Sequence, residues 1–274
     1  MHWQLERSQW LRPDRLLELQ FRQLRALGEH ARRHVPHYRK AISGGALPTR
    51  DALTPDTLGR WPVLRKAELL AADRELRASA WPREHGGLIE SATTGSTGQL
   101  VRLAFTEAAQ FITHALVLRH HLWHESDFRG KLAVINPHLE DGVAPDWGRI
   151  TSAAFATGPC ATLNIAAPIE RQLAWLIEQR PEYLQTRPSN LRAMLRLSRE
   201  TGRRPEGLRA VTTQSEMLPA RLREALREAW GAELLDTYSC GEFGTLALQC
   251  PRRDHYHVQS ESVILEVLRD DGTP

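Results

Sequence analysis

Tyr183-Leu184-Gln185-Thr186-Arg187-Pro188-Ser189-Asn190-Leu191 decides the fold. A short β-like run passes through one arginine into a helix that opens on proline, where the missing N–H would have had no intrahelical partner anyway. Working outward, the helix pattern from Pro188 to Glu200 is followed by a strand at Leu208 to Thr213, a helix at Pro219 to Trp230 and a strand at Leu234 to Tyr238. On the other side lie a helix at Ile169 to Glu178 and a strand at Lys131 to Ile135, bounded by Gly130 and Pro137. Alternation of this kind implies an α/β fold, a mostly parallel sheet covered by helices.

Further toward the N-terminus, Glu107 to Trp123 reads as a helix. Leu88 and Ile89 close a strand, and Val101 to Phe105 alternates like its hairpin partner. Pro13 to about Arg33 is an amphipathic helix striped by Leu16, Leu17, Leu19, Leu24 and Leu27. The stretch from Pro36 to Asp56 reads as loop, and a short helix runs from Lys66 to Ala72. From Thr245 to Leu268 the helix signals fade, which points to a strand-rich end with a strand at Val263 to Leu268. The expected organisation is a helical region at 1–85, an α/β nucleotide- and acyl-binding core at 86–244, and the beginning of a β-rich subdomain at 245–274.

Composition narrows the function. Lys and Arg number 36 against 33 Asp and Glu in 274 residues, with no concentrated basic arm, which speaks against a nucleic-acid partner. No stretch approaches roughly 18 uninterrupted apolar residues and the N-terminus lacks a signal-peptide layout, so no membrane partner and a cytoplasmic location are expected. Cys160, Cys240 and Cys250 are too scattered for a disulfide framework.

Ser91 to Gln99 is dense in hydroxyls and glycine. Glycines let backbone approach an anion closely, and Thr93, Thr94, Ser96 and Thr97 can donate to phosphate oxygens without adding fixed charge. A turn between two strands uses the same residue types, so both readings stand at this point. The run ends without Gly-Lys-Ser/Thr and lacks G-x-G-x-x-G spacing, which disfavours the P-loop and dinucleotide folds.

The order Thr93-Thr94-Gly95-Ser96-Thr97-Gly98 resembles the phosphate loop of adenylate-forming enzymes, with Leu100 where that family has proline. Further segments follow in order the phenylacetate–CoA ligase-like branch, also called aryl- or acyl-CoA synthetases. They are Val35 to Arg39, Trp61 to Lys66, Tyr183 to Leu191, Thr212-Thr213-Gln214-Ser215-Glu216, Asp236 to Gly244, and Cys250-Pro251 with Tyr256-His257-Val258 through Glu261. The resemblance implies the large N-terminal domain of such an enzyme, with Tyr238 and Glu242 in its Tyr-x-x-x-Glu signature.

Carried over, it implies that Thr93, Thr94, Ser96, Thr97 and the amides of Gly95 and Gly98 hold the ATP phosphates. Tyr238 would lie against the adenine, Ser239 would be among the cofactor-binding residues, Glu216 would line the nucleotide side of the cleft, and Glu242 would hold Mg²⁺, with Glu242 and Thr97 the catalytic pair. The implied activity joins a small-molecule carboxylic acid to ATP as an acyl-adenylate and transfers it to a thiol acceptor such as coenzyme A. Homodimers are common in this branch. The family continues past Asp270-Asp271-Gly272 with a ribose-gripping Asp and a lysine-bearing domain, so the expectation is an incomplete, truncated enzyme, weak or inactive alone. The alternative is a non-catalytic nucleotide- or acyl-binding protein built on the same domain.

Cys240, Cys250, His255 and His257 supply soft and imidazole ligands within eighteen residues that suit Zn²⁺. Cys250 and His257 are the zinc candidates, against a buried thiol and strand-borne histidines. His120, His121 and His124 form H-H-x-x-H rather than H-E-x-x-H. A substrate-pocket role for that helix is the preferred reading over a metal.

Overall fold

A computed structural model describes residues 2–45, 52–59, 63–94 and 100–269. These residues fall into two compact units, one reaching Ala115 and resuming at Gln259, the other spanning Leu116–Val258. Among the described residues no helix is long and apolar enough to cross a membrane.

The first unit opens with α1 (His2–Ser8), α2 (Pro13–His34) and α3 (Pro36–Ser43). α2 stops where expected, because Val35 precedes proline and is held extended at φ −113°, ψ 112°. The loop expected from Pro36 is corrected by α3, since the same proline that ends one helix occupies the first turn of the next. The leucine stripe is also only partly buried: Leu17 and Leu27 are exposed, while Phe21 is the buried residue of α2. Next come α4 (Pro55–Leu58), α5 (Lys66–Ala71) and α6 (Asp73–Leu76), then the antiparallel hairpin of β1 (Leu88–Thr94) and β2 (Leu100–Thr106). Helix α7 (Glu107–Trp123) follows directly.

The chain returns to this unit after Val258 without the strand expected at Val263 to Leu268. The backbone there is engaged otherwise. The Val263 N–H donates to the Gln259 carbonyl (3.2 Å) in a turn, and the Val263 carbonyl accepts from the Gln20 side-chain amide (3.0 Å). The Ser8 hydroxyl also donates to Glu261 at 2.8 Å.

The second unit is an eight-stranded sheet. Its elements are β3 (Leu132–Asn136), β4 (Gly142–Ala144), α8 (Arg149–Ser152), β5 (Cys160–Asn164), α9 (Ile169–Gln179), β6 (Tyr183–Thr186), α10 (Pro188–Thr201), β7 (Ala210–Thr213), α11 (Leu222–Trp230), β8 (Glu233–Cys240), β9 (Gly244–Gln249) and β10 (Tyr256–Val258). The strand order is β10-β9-β8-β7-β6-β3-β5-β4. From β5 to β8 the pairs are parallel, and β4, β9 and β10 pair antiparallel at the edges. The mostly parallel sheet covered by helices is therefore present, with β5 as a strand the sequence pattern does not announce. It is set beside β3 by the turn at Gly158, where a Cβ would stand 2.3 Å from the Arg129 carbonyl oxygen.

Strand alternation gives the sheet two different faces. Leu184, Val211 and Leu234 pack with Leu173 and Leu176 of α9, Leu191 and Met194 of α10, and Leu226 and Trp230 of α11. The opposite face carries Leu132, Tyr183, Ala210 and Leu235 against Trp147 and Cys160. The chain leaves β3 toward β5 on one side and leaves β6 toward β7 on the other. That divergence opens a crevice at the carboxyl ends of the strands, the usual ligand position in open α/β sheets.

Candidate functional site

Residues singled out from the sequence gather along this carboxyl edge. Glu216 follows β7 and is exposed. Its carboxylate accepts from the Ser189 N–H (2.8 Å) and the Ser189 hydroxyl (2.9 Å) at the first turn of α10. A carboxylate suits that place because the first helical N–H groups lack partners and carry partial positive charge. Ser215 takes a left-handed φ of 70° just before it, a conformation that costs a non-glycine residue about 1–2 kcal/mol. Ser189 is a partner that the motif alone does not reveal.

Tyr238 lies on β8 with 55% of its surface exposed, a large aromatic face turned to solvent. Ser239 is half-buried opposite Thr245, beside an irregularity in the β8–β9 ladder at Tyr238/Ser239. Glu242 and Phe243 are exposed in the turn that joins the two strands.

Beneath them sits a buried polar knot. Asp236, 5% exposed, accepts from the Thr213 hydroxyl and the Tyr256 hydroxyl, both at 2.5 Å, while its own N–H donates to the Gln249 side chain at 2.8 Å. Burial first, and then the Asp236 carboxylate, push the Tyr256 phenol up to about 12. This knot ties β7, β8, β9 and β10 together two residues before Tyr238.

Thr93 and Thr94 close β1, paired with Val101 and Leu100, in the first unit. Gly95, Ser96, Thr97 and Gly98 lie outside the described residues.

On the second face of the sheet, Val117, His120 and His121 of α7 cover a cavity of ≈ 50 Å³. Leu132, Tyr183, Gln185, Thr212, Gln214, Leu235 and Thr237 contribute to its lining. His121 donates to or accepts from Ser126 at 3.3 Å and packs against Trp147 at 5.2 Å between ring centroids. Burial first, and then His124, hold the His121 imidazole down to about 4. His120 is 4% exposed, and neither of its ring nitrogens has a hydrogen-bond partner.

Among the described residues, one cluster has the donors and closeness for a metal: Cys250, His255 and His257, whose ligand atoms all lie within 4.8 Å of one another. Cys250 is buried, both histidines are exposed, and the Cys250 N–H donates to the His255 carbonyl at 2.8 Å, which draws the β9–β10 connection into a closed turn. Cys240 is not part of it, and neither are His120 and His124, whose tilted rings lie 4.8 Å apart between centroids at the C-terminal end of α7.

No family model and no curated protein matches the sequence. Solved structures do match by fold. 2-Hydroxyisobutyryl-CoA ligase in complex with 2-HIB-AMP and CoA in the thioesterification state gives a TM-score of 0.69 at 16% identity, over 89% of this chain and 53% of that one. Its open conformation, also in complex with 2-HIB-AMP and CoA, gives 0.66 at 16% identity, over 86% and 52%. The anthranilate CoA ligase AuaEII in complex with anthranoyl-AMP gives 0.50 at 17% identity, over 67% and 36%. The chain spans about half the length of the first two. At such identity the likeness is one of architecture: this chain shares the fold of the matched half of those CoA ligases.

Proposed function

We propose that this chain provides the nucleotide- and acyl-binding part of an AMP-forming acid–thiol ligase of the phenylacetate–CoA ligase-like kind. The observation that carries the reading is the fold match to ligases solved with an acyl-AMP and CoA. The roles follow from chemistry. Tyr238 lies against the adenine, and Ser239 and Glu216 border the nucleotide. Hydroxyls of Thr93, Thr94, Ser96 and Thr97 with the amides of Gly95 and Gly98 hold the phosphates by donation alone. Preorganised donors of this kind act where charge develops as the acid's carboxylate attacks the α-phosphorus of ATP and pyrophosphate leaves.

Mg²⁺ fits the donor set at Glu242, an exposed hard carboxylate of the type that shares the ion with phosphate oxygens and water. When bound, it offsets negative charge on the departing phosphates. The acyl-adenylate is then consumed by a thiol, with coenzyme A the acceptor. Cys250, His255 and His257 would supply three of the four ligands of a Zn²⁺ ion, a reading supported by their closeness and by the preference of zinc for thiolate and imidazole.

Acid-dependent exchange of labelled pyrophosphate into ATP by a full-length version of the protein tests the ligase reading. Exchange that rises with an added carboxylic acid and falls at least about 100-fold in Glu242→Gln, the scale of losing one charge-stabilising group, is the expected result. ATP binding by calorimetry with no exchange for any acid would point to nucleotide binding without chemistry. Metal analysis of the purified chain tests the zinc assignment, with near-stoichiometric zinc expected and loss of it in Cys250→Ser.

A further inference from the structure

The cavity under α7 carries information about the acid. Its floor is one cross-strand row, because Gln185 pairs with Thr212 and Thr212 with Leu235 in parallel register. Thr237 and Gln214 extend it toward the strand ends, one residue from Tyr238 and two from Glu216. Its roof includes Val117, His120 and His121. Six of the thirteen lining residues are Thr, Ser or Gln and two are His, so the surface is polar where a packed core would be aliphatic.

Two observations limit what fits. The first is size: at ≈ 50 Å³ the space is about a third of the roughly 150 Å³ that accommodates benzene in a protein interior. A phenyl ring is too large, whereas a chain of a few heavy atoms is not. The second is His120. Both ring nitrogens are buried without a hydrogen-bond partner, an unfavourable state that a ligand able to pair with them would relieve. Burial first, then His121 and His124, keep this imidazole well below its ordinary range and hence neutral, so one nitrogen donates and the other accepts. A hydroxyl can answer either nitrogen. A charged group would enter a low-dielectric site without a counter-ion.

We propose that this cavity receives the side chain of the acid and selects a short aliphatic acid bearing a hydroxyl group, with His120 as the residue that recognises the hydroxyl. The inference rests on the ligase reading above and adds a substrate class to it. It departs from the aryl acids that the phenylacetate–CoA ligase resemblance would suggest.

The test uses three non-hydrolysable adenylates, 5′-O-(N-acyl)sulfamoyladenosines carrying lactoyl, propionyl or phenylacetyl groups, titrated calorimetrically into the full 274-residue chain. The lactoyl compound should bind about 10-fold tighter than the propionyl one, the scale of one satisfied buried hydrogen bond, and the phenylacetyl compound weakest. His120→Leu should bring the lactoyl compound to the propionyl level and leave propionyl binding within about threefold. His120→Gln, which keeps a donor and an acceptor, should retain a preference. Circular dichroism of each variant reports folding, and the rank order of the unmodified chain decides the matter even where a variant fails to fold. Equal binding of lactoyl and propionyl compounds, or tightest binding of the phenylacetyl one, overturns the pocket assignment and leaves the ligase reading standing. Failure of all three to bind removes that reading and the inference with it.

Discussion

The two faces of the central sheet share the same strands and differ in almost everything else. Toward α9, α10 and α11 the strands present Leu184, Val211 and Leu234 to a dry aliphatic layer in which Leu176, Leu191, Met194 and Leu226 are fully buried. Toward α7 the alternate residues of those strands are Tyr183, Gln185, Thr212 and Thr237, and they border a cavity with an unpartnered imidazole. One face is built for stability, since each fully buried aliphatic side chain contributes about 1.5–3 kcal/mol. The other gives up that gain and leaves polar groups unsatisfied, a trade that makes sense at a binding surface.

The sharpest way to break this contrast is to cut into each face in turn. Leu226→Ala on the dry face should cost about 3–4 kcal/mol, because the lost transfer energy is joined by a cavity that close-packed neighbours cannot fill. Thr212→Val, which alters the cavity floor by one hydroxyl-to-methyl exchange, should move stability by no more than about 1 kcal/mol. Urea denaturation midpoints measure both. Equal costs would mean that the α7 face is ordinary core.

Acid should act on one face selectively. The His121 imidazole, lowered from 6.5 to about 4, is neutral in the fold at pH values where it would be protonated in the unfolded chain. Its contribution is therefore complete above about 6.5 and is lost as pH falls toward 4, up to about 3 kcal/mol in all. His120 shifts in the same direction. Between pH 6.5 and 5, before most carboxylates titrate, the unmodified chain should lose about 2 kcal/mol more than His121→Phe. Parallel pH profiles for the two chains would show that the α7 face does not exclude the charged imidazole.

How much of this was legible in the sequence follows from the range of each signal. The β6–α10 junction is local: an apolar run, a proline and a 3.6-residue periodicity lie within twenty residues, and the strand and helix fall where they are read. Pro36 shows the limit of a local signal, since proline both ends α2 and begins α3. Cys160–Asn164 gives no local strand signal, because its five residues carry no alternating pattern and their strand character comes from pairing on both sides with β3 and β4. Val263 to Leu268 failed in the opposite way, an apolar run whose backbone is partly engaged by Gln20 and by a turn. At the site, the exposed Tyr238 and Glu242 stand in a short contiguous motif. The resemblance points to a pocket role for α7, but the lining is not legible locally because it depends on which face of α7 meets which face of the sheet, and His120 becomes informative only when both its nitrogens are seen to lack hydrogen-bond partners.

The smallest expected effect concerns Glu216, which the resemblance assigns to the nucleotide side of the cleft and the fold joins to Ser189. A carboxylate at the first turn of a helix is worth about 1 kcal/mol through its hydrogen bond and its charge. Glu216→Ala should therefore lower stability by about that amount, and Glu216→Gln by less, because an amide oxygen still accepts while the charge is gone. Combining Glu216→Ala with Ser189→Ala should cost less than the sum of the two, with a coupling of about 0.5–1 kcal/mol, since either change alone removes the hydroxyl–carboxylate bond. Additive costs would mean that the pair does not hold α10 in place. A Glu216→Ala chain that keeps its stability and loses nucleotide affinity would assign the carboxylate to the ligand, and would make the strained turn at Ser215 a device for presenting it there.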